Sequence, residues 1–104
     1  MLVLTTWRSR NLAPEQSHRM MEVWAKTEAK ETENTSTERL CWYIAADGSG
    51  GVTVSKVADS DAAAALMLET SLALSEFIEL DAKIVLDLDT AMPGIMSSME
   101  YLPA

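Results

Sequence analysis

Few residues in this chain have types and spacings that could do chemistry. Lys83 stands among carboxylates in the run Ile78 to Asp89, where Glu79, Asp81, Asp87 and Asp89 recur at strand spacing. A desolvated lysine there could act as a base or hold an anionic substrate, whereas the plain reading pairs it with Asp81 or Asp87. His18 is the sole histidine. As a general base it would need a carboxylate to orient it and a cavity to work in, and its plain reading is a boundary residue of a helix. Trp7, Trp24, Trp42 and Tyr43 could line an aromatic pocket for a flat ligand, with Thr53 and Ser55 as hydrogen-bond partners; otherwise they are core. Tyr43, His18 and Lys83 are thus the candidate catalytic groups, and Trp7, Trp42, Thr53, Ser55 and Lys83 the candidate ligand-binding set.

Other constellations point to ordinary structure. Carboxylates spread along one strand do not converge on a cation, so no metal site is expected from Glu79, Asp81, Asp87 and Asp89. The turn Asp47-Gly48-Ser49-Gly50-Gly51 is followed by no helix and no phosphate-binding lysine, and reads as a hairpin turn. Cys41 is the only cysteine, has no cationic sequence neighbour and reads as inert, and it excludes an internal disulfide.

The totals narrow the function classes. A chain of 104 residues makes one domain, and a net charge of -8 leaves no basic patch for nucleic acid or an anionic membrane surface. The start MLVLTTWR is too short for a signal peptide or a membrane span, so the expected location is the cytoplasm. With 48% hydrophobic and 23% charged residues the composition is slightly apolar for so small a surface, which favours self-association.

These residues need elements to place them. Leu2 to Trp7 reads as a strand with Leu2, Leu4 and Thr6 on one face and Val3, Thr5 and Trp7 on the other. Pro14 opens a helix running to about Lys30, with Ser17, Met20, Met21, Trp24 and Thr27 on one side, and Glu15 with Arg19 and Glu22 with Lys26 as i,i+4 pairs. Glu31 to Thr37 is polar and reads as a loop. The stretch Glu38 to Asp59 folds back on itself as a β-hairpin around Asp47 to Gly50. A two-residue loop at Gly48 and Ser49 would set Ala45 opposite Val52, Tyr43 opposite Val54 and Trp42 opposite Ser55. Asp59, Ser60 and Asp61 offer caps for a second helix to about Phe77, apolar all round from Ala62 to Leu68. Ile78 to Asp89 alternates as a final strand, and Met96, Met99 and Leu102 mark a Met-rich tail at helical spacing.

Strand, helix, strand, strand, helix, strand is the split βαβ plan, a four-stranded antiparallel sheet with two helices on one face. An apolar sheet needs a cover on each side, and two helices supply only one. The opening strand ending in Thr6-Trp7-Arg8, the segment Trp42 to Gly51 and the closing strand resemble the dimeric α+β barrel superfamily over about residues 1 to 90. The likeness is greatest to its short uncharacterised bacterial members. It implies a ferredoxin-like fold, two sheets closed face to face in a homodimer, and Lys83 looking into the barrel. The superfamily includes cofactor-independent monooxygenases, haem-degrading enzymes, polyketide cyclases and muconolactone isomerases. Its small oxygenases use an Asn, Trp and Arg or His set; Trp7 or Trp42 would stand for the tryptophan here, and no asparagine lies in any strand.

The reading is a cytoplasmic homodimer with a domain over residues 1–89 and a tail over 90–104 packing on its own chain or a partner. It binds a small aromatic or polyketide-like molecule, with or without converting it, in a cavity bounded by Trp7, Trp42, Ser55 and Lys83, and needs no cofactor. The alternative is a non-catalytic interaction or structural protein. In it the second helix and the tail make partner contacts.

Overall fold

The computed structural model describes residues 1–33 and 37–102. Four strands form one antiparallel sheet in the order β2-β3-β1-β4: β1 Leu2–Ser9, β2 Thr37–Ile44, β3 Gly50–Val57 and β4 Ile78–Val85. Helices α1 (Pro14–Glu33) and α2 (Asp61–Leu74) lie on one face of it, and a third helix, α3 (Leu88–Ser98), follows β4 and runs into a short 3-10 turn, Met99–Tyr101. The fold is therefore α+β, with the predicted succession of strands and helices and one further helix. No helix among the described residues is long and apolar enough to cross a membrane.

Register assigns the two faces. Trp7 lies opposite Gly51 and Leu80, and Thr5 opposite Thr53 and Ala82, so these residues share the helix-facing side. Leu4 lies opposite Val54 and Lys83, and Leu2 opposite Val85, on the other side. The predicted faces of β1 are those observed. The β2-β3 register is two residues from the expected one, because the loop is Ala46 to Ser49 rather than Gly48 and Ser49 alone. Ala45 donates its N–H to Gly50 O (2.8 Å), and Tyr43 sits opposite Val52, Trp42 opposite Thr53. A slip of two leaves every side chain on its face. The longer loop is held by the Asp47 carboxylate, which accepts from Ser49 N–H at 3.0 Å, and by Gly48 at φ 75°.

Between Arg39 and Cys41 the β2 ladder carries a bulge. Arg39 lies opposite Ser55 while Cys41 lies opposite Val54, so the extra residue, Leu40, puts Arg39 on the same face as Trp42.

Four further expectations are corrected. The alternation of Ile78 to Asp89 suggested one strand, but β4 ends at Val85 and Asp87 caps α3, its carboxylate accepting from Thr90 N–H at 2.7 Å. An N-cap ends strand geometry because its own backbone must turn the chain into the helix. Helix α2 stops at Leu74 rather than Phe77; its cap is Ser60, which accepts from Ala63 N–H at 3.2 Å. Arg19 pairs with Glu76 beyond α2 rather than with Glu15, and its guanidinium lies over the Phe77 ring at 5.5 Å. A link between two elements holds α1 against the end of α2, which an i,i+4 pair could not do. Of the expected polar loop, Glu31 and Glu33 belong to α1, and residues 34–36 lie outside the described residues, as do Pro103 and Ala104 of the tail.

The core is small. Val3, Val57 and Ala63 form its cluster, with Leu74 and Phe77 also buried. Helix α3 has no buried residue and makes its contacts mainly with the 3-10 turn after it. The molecule consequently measures 59 × 30 × 21 Å, with a radius of gyration of 16.9 Å against roughly 13 Å for a compact chain of this length. The stretch expected to pack on its own chain or on a partner forms α3 and the 3-10 turn, and neither has a buried residue.

Candidate functional site

A cavity of about 460 Å³ lies between the helix-facing side of the sheet and the two helices. Alternation along the strands brings four predicted residues to it: Trp7 from β1, Trp42 from β2, and Thr53 and Ser55 from β3. Trp24 arrives from α1, one helical turn before Glu28 and on the side predicted to face the sheet, so all three tryptophans of the chain line the cavity. They form one cluster. The Trp24 and Trp42 ring centroids are 5.6 Å apart and those of Trp7 and Trp42 6.5 Å, both edge to face.

Trp7 owes its place to Gly51, over which its ring lies. A methyl group at residue 51 would stand 2.6 Å from Cη2 of Trp7 and 2.5 Å from the carbonyl oxygen of Tyr43. The Trp42 indole N–H is buried and has no hydrogen-bond partner among the described residues. A buried donor left without an acceptor costs on the order of 1–3 kcal/mol, and a bound acceptor would recover it.

The polar end of the cavity is built by Arg39, Glu28 and Glu31. The Arg39 guanidinium lies 4.4 Å from the Trp42 ring centroid, 2.6 Å from Glu28 Oε1 and 3.5 Å from Glu31 Oε2. Burial pushes the Glu31 carboxyl above its ordinary range and the charge of Glu28 adds to this, while Arg39 and a hydrogen bond from Thr70 work against it. Among the described residues, the ionisable ones lining the cavity are thus one cation and two carboxylates.

The other predicted residues are elsewhere. Lys83 is on the opposite face of the sheet, its side chain 67% exposed and its ammonium 3.3 Å from Asp81, so it does not bound the cavity with Trp7, Trp42 and Ser55. The reason is register: Lys83 sits opposite Leu4, not Thr5. Tyr43 points to that same face and is exposed, and His18 is exposed on α1, away from the cavity lining. Glu79 and Asp81 share the open face of β4, whereas Asp87 and Asp89 belong to the cap and first turn of α3. Among the described residues no three His, Cys, Asp or Glu side chains are grouped to hold a metal ion.

Arg39, Glu28 and Glu31 were not singled out in the sequence. Glu28 and Glu31 could have been found by extending the Met21, Trp24, Thr27 stripe by one turn. Arg39 could not, since strict alternation puts it with Cys41 and only the bulge reverses it.

No protein-family model matches the chain, and no curated protein does. Among solved structures it is similar to the de novo designed protein Foldit4, with a TM-score of 0.41 and 15% identity over 83% of this chain and 100% of that one.

Proposed function

We propose that the protein binds a small flat aromatic molecule between its sheet and its helices, as a ferredoxin-like subunit that pairs into a dimeric α+β barrel. The observation that carries the reading is the tryptophan-lined cavity with a buried, unpartnered Trp42 N–H in its wall. Its volume suits a ligand of one to three rings, edge-to-face indoles suit a flat one, and the orphan donor asks for an acceptor oxygen or nitrogen on it. Conversion of that ligand has no dedicated base or nucleophile in support, because His18, Tyr43 and Lys83 are outside the cavity and Glu31 is the titratable group nearest to serving.

The pairing rests on the open side of the sheet. Leu2, Leu4, Val52 and Val54 are only half-buried there. The charges on that side alternate in sign: Arg8 is opposite Glu79, Lys56 opposite Glu38, and Lys83 is bonded to Asp81. A chain of net charge -8 can bring two copies together at a balanced face with the least repulsion.

A thermal-shift and tryptophan-fluorescence screen with quinones, phenolic acids, neutral phenols and haem tests the binding reading. Stabilisation together with a change in indole emission is expected for at least one class. No response from any class at saturating concentration would remove it.

A second reading, a non-catalytic interaction protein, is favoured by α3. Its Leu88, Ile95, Met96 and the following Met99 and Leu102 are exposed, and Pro93 and Gly94 stand in the middle of the helix. An 11-residue helix with that interior dipeptide has little intrinsic stability in water, so it calls for a surface to lie on. Truncation after Asp89 separates the two readings. Under the interaction reading association is lost and ligand response kept, and unchanged association removes the tail from the account.

A further inference from the structure

We infer that the cavity selects an arylalkylamine, its amine on an aliphatic arm and protonated at neutral pH, over the matching arylalkyl acid. This rests on the reading of the cavity as a ligand site and adds the ligand's charge to it. Three observations converge. First, the ionisable side chains among the described lining residues are Arg39, Glu28 and Glu31, one positive against two negative, so the formal charge at the polar end of the cavity is negative. Second, Arg39 is held by both carboxylates and by the face of Trp42 at 4.4 Å, which leaves it poorly placed to receive a ligand carboxylate. Third, the lining includes the indoles of Trp7, Trp24 and Trp42, electron-rich rings that attract a desolvated cation and not an anion.

An acid entering here would lose its hydration beside two carboxylates, with the one guanidinium already engaged. An ammonium would meet Glu31 on one side and indoles on the other, and a phenolic oxygen on the ring to which it is attached could accept from the Trp42 N–H. Glu31 is the group whose charge decides the preference. Its carboxyl is two-thirds covered, so its field is less screened than that of a surface carboxylate.

The test is a set that shares a 4-ethylphenol frame and differs in the terminal group: tyramine, 3-(4-hydroxyphenyl)propionate and 4-ethylphenol, titrated at neutral pH and low salt. The readout is the set of indole N–H resonances in proton-nitrogen correlation spectra, one from each of the three tryptophans. The expected result is that tyramine binds about tenfold or more tighter than the propionate, with ethylphenol between them and the Trp42 indole proton moving downfield. Glu31→Gln should bring the amine and acid affinities within about threefold of each other, and Arg39→Gln should widen the gap. The two variants act in opposite directions, so a general loss of structure cannot imitate both. Equal binding of all three probes, or a tighter acid, overturns the charge preference and leaves the cavity as a ligand site. If no probe moves any indole resonance, the binding reading fails with it.

Discussion

Replacing Gly51 by alanine probes the placement of Trp7, on which the cavity depends. The new methyl would sit 2.5 Å from the Tyr43 carbonyl oxygen and 2.6 Å from Trp7 Cη2, where ordinary contacts are 3.4–4 Å, so about 1 Å of overlap must be relieved. The carbonyl cannot retreat, being fixed in the β2-β3 ladder, so it is the indole, part of the cavity wall, that has to shift. Overpacking of this kind costs about 2–3 kcal/mol. For a domain of this size that lowers Tm by roughly 10–20 °C. Two other glycines calibrate the result, since an added Cβ meets nothing within 4 Å at either. Gly48→Ala should lose only about 1–2 kcal/mol from its φ of 75°, and Gly94→Ala should raise the helicity of α3 without weakening the sheet. Urea unfolding followed by tryptophan emission reads all three. A Gly51→Ala midpoint no lower than that of Gly48→Ala would mean that Trp7 does not lie across residue 51, and the cavity wall described above would be wrong.

Trp42→Phe should weaken binding of an acceptor-bearing ligand about tenfold, the loss of one hydrogen bond, and leave the emptied site without its orphan donor; calorimetric titration checks this. Because the folded state raises the Glu31 carboxyl above its ordinary value of 4.5, the stability tied to its neutral form is fully present below that pH and is lost as pH rises through the folded-state value. Glu31→Gln should therefore unfold at higher urea than the parent near pH 7, with the two converging below 4.5, and parallel curves across that range would contradict the burial of Glu31. Lys83→Ala should leave ligand affinity unchanged, because the lysine is on the far face, and a drop of more than about twofold would place it at the cavity after all. Removal of residues 90–104 should leave self-association through the open sheet face, measured by light scattering on dilution, unchanged and preserve tryptophan emission, since no residue of α3 lines the cavity.

How far the amino-acid order reveals this arrangement can be followed residue by residue. Trp7, Trp42, Thr53 and Ser55 were legible as neighbours because strand alternation is local and a hairpin slip of two residues preserves it. The grouping of Lys83 with Trp7, Trp42 and Ser55 differs from the observed register, because facing depends on how β4 is aligned with β1, a non-local matter that the alternation within β4 does not determine. Leu86 to Asp89 continue the strand period while the chain already turns into α3, and only the capping bond from Thr90 to Asp87 distinguishes the two. Arg39 was hidden by an inserted residue. The projecting α3 is the least legible feature, since its spacing announces an amphipathic helix but says nothing of which surface receives it.

The inserted residue has a consequence for how this chain tolerates change in length. Around Leu40, β2 holds one residue more than β3 needs, with Arg39 already aligned to Ser55 and Cys41 to Val54. Excising Leu40 would close the ladder into uninterrupted pairing and keep both the guanidinium and the indole inward, whereas excising Thr53 or Ser55 from the opposing strand would turn half of it inside out. Slack in the sheet is thus confined to one position. It lies beside the residue that sets the charge of the pocket, where a deletion could be absorbed without changing what a ligand meets.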